Sequence, residues 1–109
     1  MAKISTHVLD VSTGKPAGGI MLELHRGLFP VAATQTNSDG RTDAPLVSAE
    51  TLQTGDYDLM FHVGDYFRAQ GAETFYERIT ISFLVDDGKV NYHVPLLLSP
   101  YGYSTYRGS

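Results

Sequence analysis

YHVPLLLSPYGYSTYRGS, residues Tyr92 to Ser109, is the stretch that decides the fold of this 109-residue chain. It begins as a strand, because apolar side chains recur there at every second residue: Tyr92, Val94, Leu96 and Leu98. Pro100 ends that strand, since proline has no N–H to donate to a sheet. Residues 101–106 then alternate aromatic and small polar side chains, as a second strand would. Chain ends commonly fray, but we expect this tyrosine-rich one to dock at a defined place.

The rest of the chain repeats the same pattern of short alternating runs separated by turn signals, which predicts a β-sandwich. Further strands are predicted over residues 4–10, 20–25, 29–36, 57–63 and 79–85. Turn residues predict a break over residues 12–16 and a tight turn at residues 37–40. The only helix is predicted over residues 65–70, capped by Gly64 or Asp65 and stopped by Gly71. We therefore expect an all-β, two-sheet sandwich of seven to eight strands with one short helix, in a single domain spanning residues 1–109.

Composition excludes several classes of partner. The chain carries 8 basic and 12 acidic residues, a net charge of −4, with no basic run, so neither nucleic acid nor an anionic membrane is the expected main partner. It has no cysteine and hence no disulfide or thiol chemistry. We find neither the apolar core of a signal peptide nor an apolar run long enough to span a membrane. We expect a cytoplasmic protein.

Four histidines and one arginine are the candidates for chemistry. His25 and His62 stand opposite apolar rows of their strands and are read as solvent-facing residues without a role. The pattern around His7 leaves its facing open, and on pattern alone a structural role is favoured for His93 and a surface position for Arg41. No two histidines have the i, i+4 or H-x-H spacing of a metal site, so neither a metal nor a cofactor is expected.

Several motifs resemble the transthyretin superfamily. They are HVLD and GKPA at residues 7–10 and 14–17, TNSDGR at 36–41, and YHVPLLLSPYGYS at 92–104. Within that superfamily the chain resembles the 5-hydroxyisourate hydrolases more than the vertebrate transthyretins, which carry thyroid hormone. The carriers lack histidines at the positions of His7 and His93 and lack the closing YRGS of residues 106–109. The resemblance covers residues 4–109, essentially the whole chain.

The resemblance implies a homotetramer, a dimer of dimers whose active site lies in the groove where two dimers meet. It implies hydrolytic opening of the six-membered ring of 5-hydroxyisourate, a urate oxidation product, to OHCU. The residues that it implies to be catalytic are His7, Arg41, His93 and Ser109. Those that it implies to bind the substrate are Arg41, Tyr106, Arg107, Gly108 and Ser109.

These residue types suit the implied reaction. Histidine titrates near neutrality and can act as a general base toward water, and arginine presents a planar fork of donors to carbonyl oxygens. We expect one of His7 and His93 to activate water while the other, with Ser109, orients water or relays a proton; which does which is left open. The alternatives are a small-molecule carrier like transthyretin, without catalysis, and a passive β-sandwich module.

Overall fold

A computed structural model describes residues 2–109 and contains, over that range, eight strands and one helix. The predicted fold class is confirmed. The elements are β1 (Lys3–Asp10), β2 (Lys15–Pro16), β3 (Met21–Arg26), β4 (Phe29–Gln35), β5 (Gly55–Phe61), α1 (Val63–Ala69), β6 (Ile79–Val85), β7 (Asn91–Ser99) and β8 (Gly102–Thr105).

The strands form two four-stranded sheets. Sheet A has the order β2-β1-β7-β8, and sheet B has the order β4-β3-β5-β6. All neighbouring strands are antiparallel except β1 and β7, which run parallel in one uninterrupted register from Lys3↔Asn91 to Asp10↔Leu98. Strand β1, from the beginning of the chain, and strand β7, from its last fifth, therefore lie side by side at the centre of sheet A.

Alternation decides which side chains enter the core. In β7 the predicted inward row is buried, whereas His93 on the opposite face is half-buried. In β1 the structure resolves the facing that the sequence left open: Ile4 and Val8 are fully buried, so Ser5 and His7 lie on the outer face. The outer face of sheet A thus carries both histidines of interest.

The helix begins earlier than the cap signals indicated. It starts at Val63, with His62 at the N-cap and no side-chain capping bond, so the predicted start at residue 65 and the cap by Gly64 or Asp65 were wrong. Val63 also belongs to the helix and not to the preceding strand. Val63 and Phe67 are both buried, one helical turn apart. Burial of this pair outweighs the local capping preference, as tertiary packing commonly does.

The prediction that Gly71 stops the helix is confirmed. Gly71 adopts φ +71°, and its N–H donates to the carbonyl of Arg68, as a glycine just beyond a helix typically does. At another predicted turn, Lys15 and Pro16 instead form the two-residue strand β2 against Leu9 and Asp10. Among residues 2–109, no helix is long and apolar enough to cross a membrane.

Candidate active site

The parallel pairing of β1 and β7 creates the centre of the site on the outer face of sheet A. Its register sets Ser5 opposite His93 and His7 opposite Pro95. The hydroxyl Oγ of Ser5 lies 2.9 Å from Nδ1 of His93, within hydrogen-bond distance. Two histidines distant in sequence are thus brought to neighbouring rows of one sheet face.

A tight turn after β4 carries Arg41 to the same face. The side-chain oxygen of Asn37 accepts hydrogen bonds from the N–H groups of Asp39 (2.9 Å) and Arg41 (3.2 Å). The turn is fixed to β1 because the N–H of Val8 donates to the carbonyl of Gly40 at 2.8 Å. Gly40 has φ +75°, and a Cβ there would collide with the carbonyl of Val8. Only glycine satisfies both conditions.

Gly40 also brings Arg41 next to His7. A Cβ built at Gly40 would lie 3.3 Å from Cδ2 of the His7 ring, so the turn packs directly against that imidazole. The exposed side chain of Arg41 follows at once. The turn predicted from the Asn-Ser-Asp-Gly sequence therefore places Arg41 next to His7.

The tail, residues Tyr106–Ser109, is held against the other histidine. The N–H of Gly108 donates to the carbonyl of His93 at 2.8 Å, and a Cβ on Gly108 would lie only 2.5 Å from Cδ2 of the His93 ring. The guanidinium of Arg107 lies over the ring of Tyr92, 4.7 Å from its centroid, a cation–π contact. Ser109 follows Gly108 and is exposed.

The surroundings of His93 keep it a neutral base. Burial lowers the pKa of His93 below its usual range, and electrostatic repulsion from Arg41, His7 and Lys3 lowers it further, in that order. The backbone of Ser5 opposes this shift of the pKa. The imidazole is therefore unprotonated at neutral pH and able to accept a proton.

Two cavities border this region. One of about 170 Å³ is lined by Lys3, Ser5, Arg41 and residues 42–45, among others, and is rich in polar and cationic groups. The other, of about 160 Å³, lies at the open edge of the sandwich beside Tyr106 and is mostly apolar. Ser5 and Arg41 line the first cavity, whereas His93 lines the second together with Tyr106 and Arg107, so the candidate residues lie between the two.

The structure thus brings together His7, Arg41, His93 and Gly108 of the predicted site. Tyr106 and Arg107 lie on the side of the tail that covers the sandwich edge. Sequence reasoning missed Ser5 and Lys3. In a strand every second side chain points to the same face, so Lys3 and Ser5 share a face with His7. This spacing could identify them only once the structure had shown which face of β1 points outward.

The two other histidines lie away from the site, around a glutamate of sheet B. Nε2 of His62 lies 2.7 Å and Nε2 of His25 lies 3.3 Å from the carboxylate of Glu23. The hydrogen bond from His62, and then that from His25, lowers the pKa of Glu23. Both rings lie opposite buried residues, as expected, and are partly exposed, but they are paired with Glu23 and do not simply face solvent. Within residues 2–109, no group of three or more His, Cys, Asp or Glu side chains could hold a metal ion.

Comparison with protein families gives one match over nearly the whole chain, to the model described as HIUase/Transthyretin family, at residues 4–108. A 5-hydroxyisourate hydrolase 2 of Rhizobium meliloti is 47% identical, over 98% of this chain and 96% of its own length. A 5-hydroxyisourate hydrolase of Deinococcus radiodurans is 48% identical, over 97% of this chain and 95% of its own.

Solved structures show the same fold in proteins of two different functions. The 5-hydroxyisourate hydrolase of Klebsiella pneumoniae superimposes with a TM-score of 0.89 at 39% identity, covering 100% of this chain and 94% of that one. Sea bream transthyretin in complex with thyroxine superimposes with a TM-score of 0.91 at 26% identity, covering 98% and 95%. Backbone shape alone therefore does not separate a 5-hydroxyisourate hydrolase from a thyroxine-bound transthyretin.

Proposed function

The chain belongs to the HIUase/Transthyretin family, and we propose that it is a hydrolase that opens 5-hydroxyisourate in urate degradation. The observation that carries the proposal is the group formed by His7, Arg41 and His93 on the outer face of sheet A. Relatives that match the chain nearly from end to end at 47% and 48% identity are both 5-hydroxyisourate hydrolases. The substrate is therefore 5-hydroxyisourate.

The residues of this group can perform each step of a cyclic amide hydrolysis. Neutral His93 takes a proton from water, and the water oxygen forms a bond to the ring carbonyl carbon. Arg41 donates to the carbonyl oxygen and stabilises the negative charge that develops there. The C–N bond of the ring then breaks, and the leaving nitrogen takes a proton from the imidazolium. His7, with Ser109, orients water or relays protons.

The tail completes the substrate site in this proposal. Gly108 lies against the His93 ring, which brings Ser109 near the catalytic group. Tyr106 and Arg107 contribute to substrate binding by shaping the edge of the site, Arg107 while its guanidinium rests on Tyr92. The same arrangement would have no purpose in a passive sandwich module.

We also propose that the protein is a homotetramer whose active site lies between two dimers. The support is the position of β6 and β8 at sheet edges, each with one side unpaired within the chain. Exposed strand edges are sites where a second copy can add its own strands. In this proposal a partner dimer covers the outer face of sheet A. Analytical ultracentrifugation gives the mass; a monomer that is fully active would overturn this part.

The experiment for the activity uses substrate made fresh from urate by urate oxidase. The protein is added, and the ultraviolet absorbance of 5-hydroxyisourate is followed against its spontaneous decay. We expect strong acceleration, and a loss of roughly 10²- to 10⁴-fold when either His7 or His93 is changed to alanine, the usual contribution of a general base. His25→Ala, which alters a histidine of sheet B, is the matched control and should leave the rate unchanged.

The outcomes separate the hydrolase from the carrier. If a folded protein fails to accelerate the decay, the hydrolase proposal is wrong, and thyroxine-like ligands should be tested for binding instead. If acceleration survives in His93→Ala, the activity stands but the assignment of the base does not. Circular dichroism of each variant shows whether the sandwich is intact.

A further inference from the structure

Ser5 has a polar side chain to which the proposed reaction assigns no role. It lies on β1 directly opposite His93 in the parallel ladder, with Oγ 2.9 Å from Nδ1. That ladder runs unbroken from Lys3↔Asn91 to Asp10↔Leu98 at the centre of sheet A. Both side chains are half-buried. The contact is therefore built on the most continuous part of the fold and not on a loop.

This contact links the hydroxyl of Ser5 to the position of the proton on the imidazole. A neutral histidine carries one N–H and one bare nitrogen, and a partner that bonds one nitrogen determines the state of the other. A serine hydroxyl can donate or accept, so it does not choose by itself. When the Ser5 oxygen accepts from Nδ1–H, Nε2 is left bare; when its O–H donates to Nδ1, the proton lies on Nε2. A base that acts through Nε2 requires the first arrangement, with Ser5 Oγ as the acceptor.

The ring is held from a second side as well. Gly108 packs on Cδ2, the ring carbon next to Nε2, at a distance that leaves no space for a side chain. With Nδ1 bonded to Ser5 and Cδ2 covered by Gly108, the imidazole cannot rotate about its χ2 angle without losing one contact and colliding with the tail. Nε2 is left as the nitrogen available to water in the site.

We propose that Ser5 is a positioning residue that keeps the proton of His93 on Nδ1, so that Nε2 is the bare nitrogen that accepts a proton from the attacking water. This inference rests on the proposed function, because it assigns the base of that reaction. The charged and titratable groups that act on the ring are Arg41 from the turn after β4 and His7 and Lys3 from β1. Arg107 lines the same cavity as His93. Ser5 is the residue among its neighbours that touches Nδ1.

The test combines kinetics with a direct view of the ring nitrogens. Long-range ¹H–¹⁵N correlation spectra of ¹⁵N-histidine-labelled protein report which nitrogen of His93 carries the proton, without substrate. We expect Nδ1–H in the wild type and a mixture shifted toward Nε2–H in Ser5→Ala. We expect kcat to fall roughly tenfold in Ser5→Ala, as for the loss of one hydrogen bond, with KM nearly unchanged. Ser5→Thr keeps the hydroxyl and should restore most of kcat.

Ser82→Ala is the control, because it removes a serine hydroxyl from sheet B that bonds only Asp58. It should change neither the spectrum of His93 nor kcat. An Nε2–H signal in the wild type, or a Ser5→Ala variant with wild-type kcat and pH profile, would overturn the proposal. If the wild type does not hydrolyse 5-hydroxyisourate at all, the proposed function fails. The spectra alone then decide whether Ser5 fixes the tautomer.

Discussion

Gly108→Ala tests whether the tail packs against the His93 ring, the proposed base, as closely as the structure describes. The new Cβ would lie 2.5 Å from Cδ2 of His93 and 3.1 Å from Cγ, whereas ordinary van der Waals contact begins near 3.4 Å. Either the ring or the tail must therefore move by about 0.9 Å. A misplacement of that size in a reacting group costs on the order of 10²-fold in rate. We expect kcat/KM to fall by that factor.

The same change should have little effect on folding. Gly108 contributes one backbone hydrogen bond, to His93, and losing it costs about 1 kcal/mol. In a domain of this size that lowers Tm by roughly 4–8 °C. The stability of the sandwich and the rate of hydrolysis are thus expected to respond very differently.

Gly102→Ala is the matched control. A Cβ at Gly102 meets only Ser99 Oγ, at 3.7 Å, which is an ordinary contact. The assay is the ultraviolet decay of freshly made 5-hydroxyisourate, with Tm measured on the same samples. Activity of Gly108→Ala within about threefold of the wild type would refute the reasoning, because it would mean that the tail does not hold the ring. An equal loss in Gly102→Ala would refute it too.

Three further changes are predicted from the same geometry. Gly40→Ala should destabilise the fold by at least about 1 kcal/mol more than Gly14→Ala: both glycines have φ +75°, but only at Gly40 does a Cβ meet backbone. Urea unfolding checks this, and equal costs would contradict it. Lys3→Gln removes a positive charge that lowers the pKa of His93, so the pKa should rise and the acid limb of kcat/KM should move to higher pH; an unmoved limb would contradict this. Deleting residues 106–109 should leave a folded protein that has lost most of its activity, and retained activity would make the tail purely structural.

Local patterns were enough to predict the strands but not every boundary. The alternation from Tyr92 to Leu98 predicted both the strand β7 and the outward position of His93, because side-chain direction in a strand depends only on parity. The start of α1 could not be predicted in the same way. Its position is fixed by the burial of Val63 and Phe67 in the hydrophobic core. Burial of that kind depends on contacts with residues distant in sequence.

The site itself was predictable only in part, for a related reason. The resemblance supplied His7, Arg41 and His93, and the Asn-Ser-Asp-Gly signal supplied the turn that carries Arg41. The contact between Ser5 and His93 joins residues 88 positions apart. It exists because β1 pairs in parallel with β7, and no local pattern in either strand specifies its partner or its register.

The two faces of sheet A differ in their constraints, which explains how this chain can share its fold with a transthyretin that binds thyroxine. Core packing fixes the inward rows of β1 and β7, which include Ile4 and Val8 and are almost completely buried. The outward positions of Ser5, His7 and His93 take no part in that core, so changing them alters chemistry at little cost to stability. A TM-score of 0.91 to sea bream transthyretin at 26% identity is what such a division would produce. Function in this fold therefore depends on the outward row and on the tail that lies against it.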